Sequence, residues 1–322
     1  MGVMIMGSTE FTLMYCTFLG IVILVIYLFC KWRNSCKDLD EVEEKVEDKY
    51  KILKHDTIIY EGKTLYRTKA LKDIPGIKET CSVLKGDLGG YIESEYNLSQ
   101  HGKCWVWLNA KVYGAAAIRD DAQVFGESRV HGFSRVSDRA IISSGANIYS
   151  YAEVFGDAVV TGNVDVHGDS TIFGRARING ITHVEIYGNC TIFGEVRVSG
   201  TVRICGEAKL MNNFMVEGSM SHDEITVIRG MTDCRAGSIY KDAYIERTND
   251  ILTIYPIGSR DDMTTFYKNS KGTISVVCGC FKGTIDEFQA AVMKKHANND
   301  SKNRRDYLNA INMAKDMIYN RG

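Results

Sequence analysis

Residues 151–174 read YAEVFG DAVVTG NVDVHG DSTIFG, and this stretch decides the fold. In each block of six, the second and fourth residues are small or aliphatic, as in Ala152 and Val154, and the sixth is Gly. Because the second and fourth positions are two residues apart, they point to the same face of a strand. A Gly at the sixth position gives the chain freedom to turn. Each block therefore predicts a short strand with one inward face, followed by a turn.

The same period runs from residue 103 to residue 218, interrupted by one longer unit, Ile181–Gly188. Val or Ile occupies the fourth position of every unit except the one that carries Leu210. Apolar residues spaced alternately by two and by four positions cannot form a stripe along a helix of about 3.6 residues per turn. We therefore predict a β-solenoid in which stacked coils bury a continuous column of Val and Ile.

Composition and periodicity divide the chain into six regions. These are a membrane anchor, a charged stalk, a β-rich cap, the solenoid, an irregular β region and a helical hairpin. Their boundaries are 1–31, 32–50, 51–102, 103–218, 219–281 and 282–322. In the cap, Glu61-Gly-Lys between two β-prone segments predicts a β-hairpin. In the last region, Thr284 is a suitable N-cap for the first helix, and we expect the two helices to pack against the solenoid.

The N-terminal region predicts a membrane anchor. Residues 11–30 carry no charged side chain, and as a helix they would be about 30 Å long, which is the thickness of a bilayer core. The alternative, a cleaved signal peptide, requires a basic start, whereas residues 1–10 contain Glu10 and no Lys or Arg. Lys31 and Arg33 follow the apolar segment. The positive-inside rule then predicts a single-pass membrane protein with its N-terminus outside and its solenoid in the cytoplasm.

Overall composition argues against several functional classes. The 322 residues carry a formal net charge of −1, and basic side chains are mixed with acidic ones, so we predict no nucleic-acid binding. The ten cysteines are scattered, and Cys278-Gly-Cys280 is the only close pair. A metal or redox role for that pair would require further ligands nearby. We therefore predict neither a metal site nor a cofactor.

Outward-facing positions of the repeat form two columns at steps of three units. One column consists of Tyr113, His131, Tyr149, His167 and Tyr187. The other consists of Phe155, Phe173 and Phe193. His131 or His167 could act as the base of an acyltransferase that uses coenzyme A. Because the repeat has no long loop to enclose a cofactor, we favour a ladder that only stabilises the surface.

The phenylalanine column predicts an interface. Three exposed rings in a row would form an apolar patch, which soluble surfaces usually avoid unless something binds there. We expect this column to be covered by the C-terminal helices or by a neighbouring subunit, although a bare ladder is an alternative. The helical side chains proposed for this cover are Phe288, Val292, Leu308 and Ile311. The tyrosines of the first column, Tyr113, Tyr149 and Tyr187, are further interface candidates.

Several segments resemble a known family. Gly86–Glu93 reads GDLGGYIE, and it is followed by Asn97-Leu-Ser, Cys104-Trp-Val and the six-residue units. Together with Cys278–Phe288 and Arg305–Leu308, they resemble the YdcK-like β-solenoid proteins of bacteria and phages, over roughly residues 64–218 and 272–318. That family carries transferase labels by analogy with hexapeptide acyltransferases, and the resemblance implies no catalytic set. The N-terminal apolar segment departs from the family pattern.

The repeat itself resembles hexapeptide left-handed β-helices, in which three six-residue units close one coil. This resemblance implies a single-stranded left-handed β-helix of about six coils. We therefore predict a membrane-anchored structural or protein-interaction module without catalysis of its own, whose partner is another protein or other copies of the chain, such as a trimer. One alternative is a hexapeptide-repeat acyltransferase, and another is a polymer-forming scaffold that resembles bactofilins.

Overall fold

Stacked coils of parallel strands form the main body of the protein, and the predicted β-solenoid is confirmed. A computed structural model describes residues 48–77, 82–221, 225–230, 232–258, 260–297 and 302–320. Within these residues the chain forms a hairpin, the solenoid, a four-stranded antiparallel sheet and two helices, in that order.

The hairpin consists of β1 (Tyr50–Tyr60) and β2 (Lys63–Ala70). Its turn, Glu61-Gly62, has positive φ at both residues, which is the geometry that matches the twist of two-residue hairpins. This confirms the hairpin predicted from Glu61-Gly-Lys. β2 pairs antiparallel with β3 (Leu88–Ile92), and β3 pairs parallel with a solenoid strand. The hairpin is therefore continuous with the first turn of the solenoid.

The solenoid strands after β3 are mostly two or three residues long, and three of them bend around a corner. In chain order they are β4 (Trp105–Val106), β5 (Lys111–Val112), β6 (Ala117–Ile118), β7 (Gln123–Val124), β8 (Arg129–Val130), β9 (Arg135–Val136), β10 (Ile141–Ser143), β11 (Asn147–Ile148), β12 (Glu153–Val154), β13 (Val159–Val166), β14 (Thr171–Ile172), β15 (Arg177–Ile186), β16 (Thr191–Ile192), β17 (Arg197–Ile204), β18 (Lys209–Leu210), β19 (Met215–Gly218), β20 (Thr226–Ile228), β21 (Asp233–Cys234), β22 (Ser238–Lys241) and β23 (Tyr244–Ile245).

Three faces surround the core. Face 1 contains β5, β8 and β11, face 2 contains β4, β7 and β10, and face 3 contains β6, β9, β12, β14, β16, β18 and β21. The long strands β13, β15 and β17 begin on face 2 and end on face 1. Each strand pairs in parallel with the strand one turn later, as Glu153 with Thr171. Where the longer unit Ile181–Gly188 intervenes, the register shifts within β15, and Thr171 pairs with Thr191.

Glycines at the corners allow the turns to stack closely. Gly156 has φ +71°, and a Cβ placed on it would lie 2.8 Å from the backbone N of Gly174 in the next turn. A side chain at this position would therefore suffer both backbone strain and a steric clash. This explains why Gly recurs at the sixth position of the repeat.

The core confirms the predicted inward positions. Ala152, Val154, Ala158 and Val160 are fully buried, and they belong to one continuous cluster that extends through the whole solenoid. Thr161, the residue after Val160, lies at the surface, where its hydroxyl accepts a hydrogen bond from Ser143 of the preceding turn at 3.0 Å. Stability is therefore built mainly by contacts between neighbouring turns.

The predicted fold class is wrong in three respects, of which the first is the number of coils. The solenoid has about eight turns rather than about six. Additional strands lie on both sides of residues 103–218, at Tyr91–Ile92 before the repeat and at Thr226–Ile245 after it. These strands pair in the same ladders, but loops of unequal length separate them. For this reason, the six-residue period alone does not predict these flanking strands.

The second correction concerns the membrane. No helix among the described residues is long and apolar enough to cross a bilayer. The predicted anchor, residues 11–30, lies outside the described residues. The structure therefore does not support the predicted single-pass membrane protein with a cytoplasmic solenoid.

The third correction concerns the helices. Strands β24 (Ile251–Ile257), β25 (Asp262–Lys268), β26 (Ile274–Cys278) and β27 (Phe281–Thr284) form an antiparallel sheet. Helix α1 (Ile285–Lys295) follows β27 directly, and helix α2 (Lys302–Asn320) ends the described chain. Both helices pack against this sheet in a separate core that includes Phe266, Val276 and Ile311. The prediction of a hairpin packed on the solenoid is therefore wrong.

The start of α1 agrees with the sequence-based prediction. The Thr284 hydroxyl accepts a hydrogen bond from the backbone N–H of Glu287 at 3.3 Å. The Glu287 carboxylate in turn accepts from the backbone N–H of Thr284 at 2.8 Å. This reciprocal arrangement is a capping box, and it satisfies two backbone donors that the first turn of a helix leaves without partners. The predicted N-cap is confirmed.

The buried column makes a direct prediction for stability. Val160→Asp places an unpaired carboxylate in an apolar core, and we expect it to lower the free energy of unfolding by about 3 kcal/mol or more. Thr161→Asp, one residue away at the surface, should change it by no more than about 0.5 kcal/mol. Urea denaturation of the two variants and the parent protein tests this difference. Equal losses at both positions would contradict the assigned inward phase.

Candidate functional site

The first outward column lies along face 1 and consists of stacked rings. We call Tyr113, His131, Tyr149, His167 and Tyr187 the Tyr–His column. Successive ring centroids lie 4.8, 5.1, 4.7 and 5.2 Å apart, and the ring planes are parallel to within 10°. The strand register produces this order. Each ring directly follows a strand of face 1, and these strands pair in parallel from one turn to the next. The rings therefore contact one another face to face, and only their edges are directed outward.

One end of the Tyr–His column is buried beneath the hairpin. The ring of Tyr60 packs edge-on against Tyr113 at 5.7 Å, and the Tyr113 hydroxyl donates a hydrogen bond to Glu61 at 3.0 Å. Only 3% of Tyr113 is exposed. Burial raises the pKa of Tyr113 above its ordinary value. This predicted interface candidate therefore fixes the hairpin to the solenoid.

His131 is held by its neighbours within the column. Its Nε2 lies 3.1 Å from Oδ1 of Asn147, and the side-chain amide of Asn147 donates to Asp165 at 2.9 Å. The imidazole is stacked between the rings of Tyr113 and Tyr149. Burial lowers the pKa of His131 below its ordinary value, which favours the neutral imidazole at neutral pH. Neighbouring side chains therefore contact Nε2 and both faces of the His131 ring.

His167 occupies the equivalent place two turns later. Its Nε2 lies 3.8 Å from the Glu185 carboxylate, and Glu185 also accepts a hydrogen bond from Arg203 at 2.8 Å. The ring is stacked between Tyr149 and Tyr187. The structure therefore brings the two candidate bases into one column, but it separates them by the ring of Tyr149.

The second outward column lies along face 3. The rings of Phe155, Phe173 and Phe193 are stacked with centroid separations of 4.9 and 5.1 Å. Pairing of Ile192 with Leu210 places Met211 one turn beyond Phe193. All four side chains are half-buried. They form a continuous apolar row, which we call the Phe–Met stripe.

Ion pairs of opposite charge flank the Phe–Met stripe. Glu153, two residues before Phe155, approaches Arg135 of the preceding turn to 3.6 Å. Asp157, two residues after Phe155, forms an ion pair with Arg139 of the preceding turn at 2.9 Å. On the same side, Arg175 and Glu195 form an ion pair two turns later. Exposed pairs of this kind contribute at most about 1 kcal/mol each, so their main effect is to balance the charge beside the stripe.

The stripe leads toward a cavity at the C-terminal end of the solenoid. Pairing of Leu210 with Cys234 places Arg235 one turn beyond Met211. Arg235 lines a cavity of about 460 Å³ together with Tyr255, Met263 and Met317. This extension was not predicted from the sequence. Met211 could have been found from the period, since it follows Phe193 by three units, whereas the cavity depends on the packing of β24, β25 and α2.

The predicted helical cover of the phenylalanines is wrong. Phe288, Val292 and Ile311 are buried in the core that the helices share with the four-stranded sheet, and Leu308 packs against that same core. The apolar faces of both helices therefore pack against the four-stranded sheet and not against the phenylalanines. Cover by a neighbouring subunit stays a prediction.

No described group of three or more His, Cys, Asp or Glu side chains is arranged to hold a metal ion. Comparisons with known proteins add no assignment, since no family model matches the chain and no curated protein matches it.

The lowered pKa of His131 predicts a dependence of stability on pH. Below about pH 6.5 the unfolded chain binds a proton at this residue before the folded chain does. The free energy of unfolding should therefore fall as the pH falls through this value, until the folded imidazole also titrates. His131→Phe keeps a ring in the column and removes the titration, so its stability should fall less between about pH 7.5 and about pH 5.5.

Urea denaturation at both pH values measures the effect. Tyr149→Phe is the matched control, because it alters the adjacent ring but leaves the imidazole in place. Its pH dependence should equal that of the parent protein. If His131→Phe and the parent lose equal stability on acidification, His131 does not have a lowered pKa in the folded protein.

Proposed function

We propose that this β-solenoid is a non-catalytic interaction module that binds another protein chain along the Phe–Met stripe. The observation that carries the proposal is the unbroken row of Phe155, Phe173, Phe193 and Met211 on face 3. A contiguous row of apolar side chains on a surface is characteristic of a binding site. The two described helices pack elsewhere, on the C-terminal sheet.

Charge around the stripe favours a protein partner. An apolar centre with a polar rim is the usual composition of protein–protein interfaces, and here the rim consists of the pairs Arg135–Glu153, Arg139–Asp157 and Arg175–Glu195. A nucleic-acid partner would instead require cations that are free to neutralise phosphates. The partner is therefore a second copy of this chain or a different protein with a complementary apolar surface.

Contacts of the Tyr–His column support a role in stability rather than catalysis. A general base must come within hydrogen-bonding distance of the proton that it removes. His131 directs Nε2 to Asn147, and His167 directs Nε2 toward Glu185. Acyl transfer with coenzyme A stays an alternative prediction, which binding of coenzyme A to the protein would favour. The resemblance to YdcK-like proteins also stays a prediction, and it contributes no catalytic residue.

Packed side chains cover part of both ends of the solenoid, which argues against end-to-end polymerisation. At the first turn, Tyr50 packs edge-on against Trp105 at 6.3 Å. Lys49 is buried beside them and donates to the Cys104 carbonyl at 2.9 Å. At the last turn, the Tyr267 hydroxyl donates to the Tyr240 carbonyl at 3.0 Å. Unpaired strand edges are what a polymer of solenoids would need, and these contacts cover part of each end.

Photo-crosslinking in the native cell tests the proposed surface. A photoreactive phenylalanine analogue at position 173 should form a covalent product with another protein chain on illumination. The same analogue at position 133 should not, because Phe133 is an exposed ring outside the stripe. The mass of the product distinguishes a second copy of the chain from a different protein.

Two matched variants test whether the crosslinked product depends on the Phe–Met stripe. Combining Phe155→Ser with Phe193→Ser should strongly reduce crosslinking from position 173, whereas Phe133→Ser should leave it unchanged. Thermal unfolding of each variant verifies that the solenoid is folded. Equal products from positions 173 and 133, or a product that is insensitive to the two stripe substitutions, would overturn the proposal.

A further inference from the structure

A pair of thiols occupies the turn between β26 and β27. Cys278 pairs with Phe281 across this two-residue turn, and Gly279 between the thiols has φ +56°. Cys280 is exposed and Cys278 is half-buried, whereas Cys104, Cys190, Cys205 and Cys234 are buried. Among the thiols that the structure describes, the accessible ones are therefore these two, and they are separated by a single flexible residue.

The surroundings of the turn distinguish the two thiols. The Thr264 hydroxyl donates to Cys278 Sγ at 3.0 Å, and this thiol lies 3.9 Å from the Tyr307 hydroxyl. These contacts hold Cys278 at the wall of a small cavity, while Cys280 remains open to solvent. An exposed thiol meets an incoming reagent first, and a half-buried neighbour is suited to resolve the adduct.

The small cavity beside the turn is more basic than acidic. Arg260 and Lys295 line it together with both cysteines, and Asp262 is the carboxylate among the lining residues. The two cations, Arg260 and Lys295, attract a reagent that carries carboxylates. The surroundings therefore favour an anionic disulfide over a cationic one.

We propose that Cys278 and Cys280 form a reversible dithiol site that exchanges with low-molecular-weight disulfides carrying carboxylate groups. The Cys280 thiolate attacks one sulfur of the small disulfide, whose S–S bond breaks, and the released thiolate takes up a proton. Cys278 then attacks the sulfur of Cys280 in this mixed disulfide and releases the second small thiol. The protein gains one disulfide and loses two hydrogens, and the small disulfide is reduced to two thiols.

Two cysteines at this spacing can reach the separation that a disulfide requires. A disulfide requires Cα atoms roughly 4.4–6.8 Å apart, a range that residues two positions apart reach when the chain turns between them. Exposed disulfides of this kind are the easily reduced ones. The bond therefore suits reversible regulation rather than permanent stabilisation. The two thiols and the small disulfide suffice for this exchange, so the further ligands expected from the sequence are needed only for a metal site.

Oxidised glutathione is the probe for the site. The reduced full-length protein is incubated with it, quenched by acid, and the peptide that contains residues 278–280 is analysed by mass spectrometry. The parent protein should show a transient glutathione adduct and then a loss of two hydrogens. In Cys278→Ser the adduct should persist on Cys280, and in Cys280→Ser the remaining thiol should react much more slowly. A peptide that stays reduced in the parent protein would overturn the proposal.

The charge preference is tested separately with cystamine, a cationic disulfide. Glutathione disulfide should react severalfold faster than cystamine relative to their rates with a free cysteine peptide. Arg260→Gln combined with Lys295→Gln should abolish that preference and leave the cysteines intact. Thermal unfolding verifies that this variant is folded. Equal relative rates for the two disulfides in the parent protein would refute a site that selects carboxylates.

Discussion

Parallel pairing between each strand and the strand one turn later is the constraint on which the rest of the structure depends. It places every side chain directly above and below the residues in the same position of the adjacent turns. Inward, Val and Ile accumulate in a column on each of the three faces, with Ala, Ser or Cys beside them. Outward, the same register stacks rings on rings and places Arg203 beside Glu185. The surface is therefore ordered in columns for the same reason as the core.

The period of the sequence was sufficient to predict the core but not the ends of the solenoid. The fourth position identified Val154 and Val160 as buried, because alternation within a short strand is a local property. The flanking strands at Tyr91–Ile92 and Thr226–Ile245 belong to the same ladders, yet loops of unequal length hide their periodicity. The placement of the helices was also missed. An amphipathic pattern predicts that one face of a helix is buried, but it does not identify the surface against which that face packs.

The candidate surfaces were predictable to a similar degree. The spacing of the outward aromatics predicted both stacks, since a ladder with a fixed register can be read from residue numbers. The burial of Tyr113 could not be predicted, because it depends on where the hairpin of Tyr60 and Glu61 lies. The cavity beside Arg235 was missed for an equivalent reason. Contacts within the repeat follow from its period, whereas contacts between the repeat and its flanking segments require the folded chain.

The longer unit Ile181–Gly188 shows where this architecture accommodates changes in chain length. Its two additional residues lie at the corner between faces 2 and 1, and the pairing of Val160 with Ile178 and of Val166 with Ile186 continues on either side. Strands β19 and β20, which are farther apart in sequence, also keep their pairing with β17 on faces 2 and 1. Insertions at this corner leave the ladders intact, so it is the natural attachment point for grafted loops or for segments acquired during evolution.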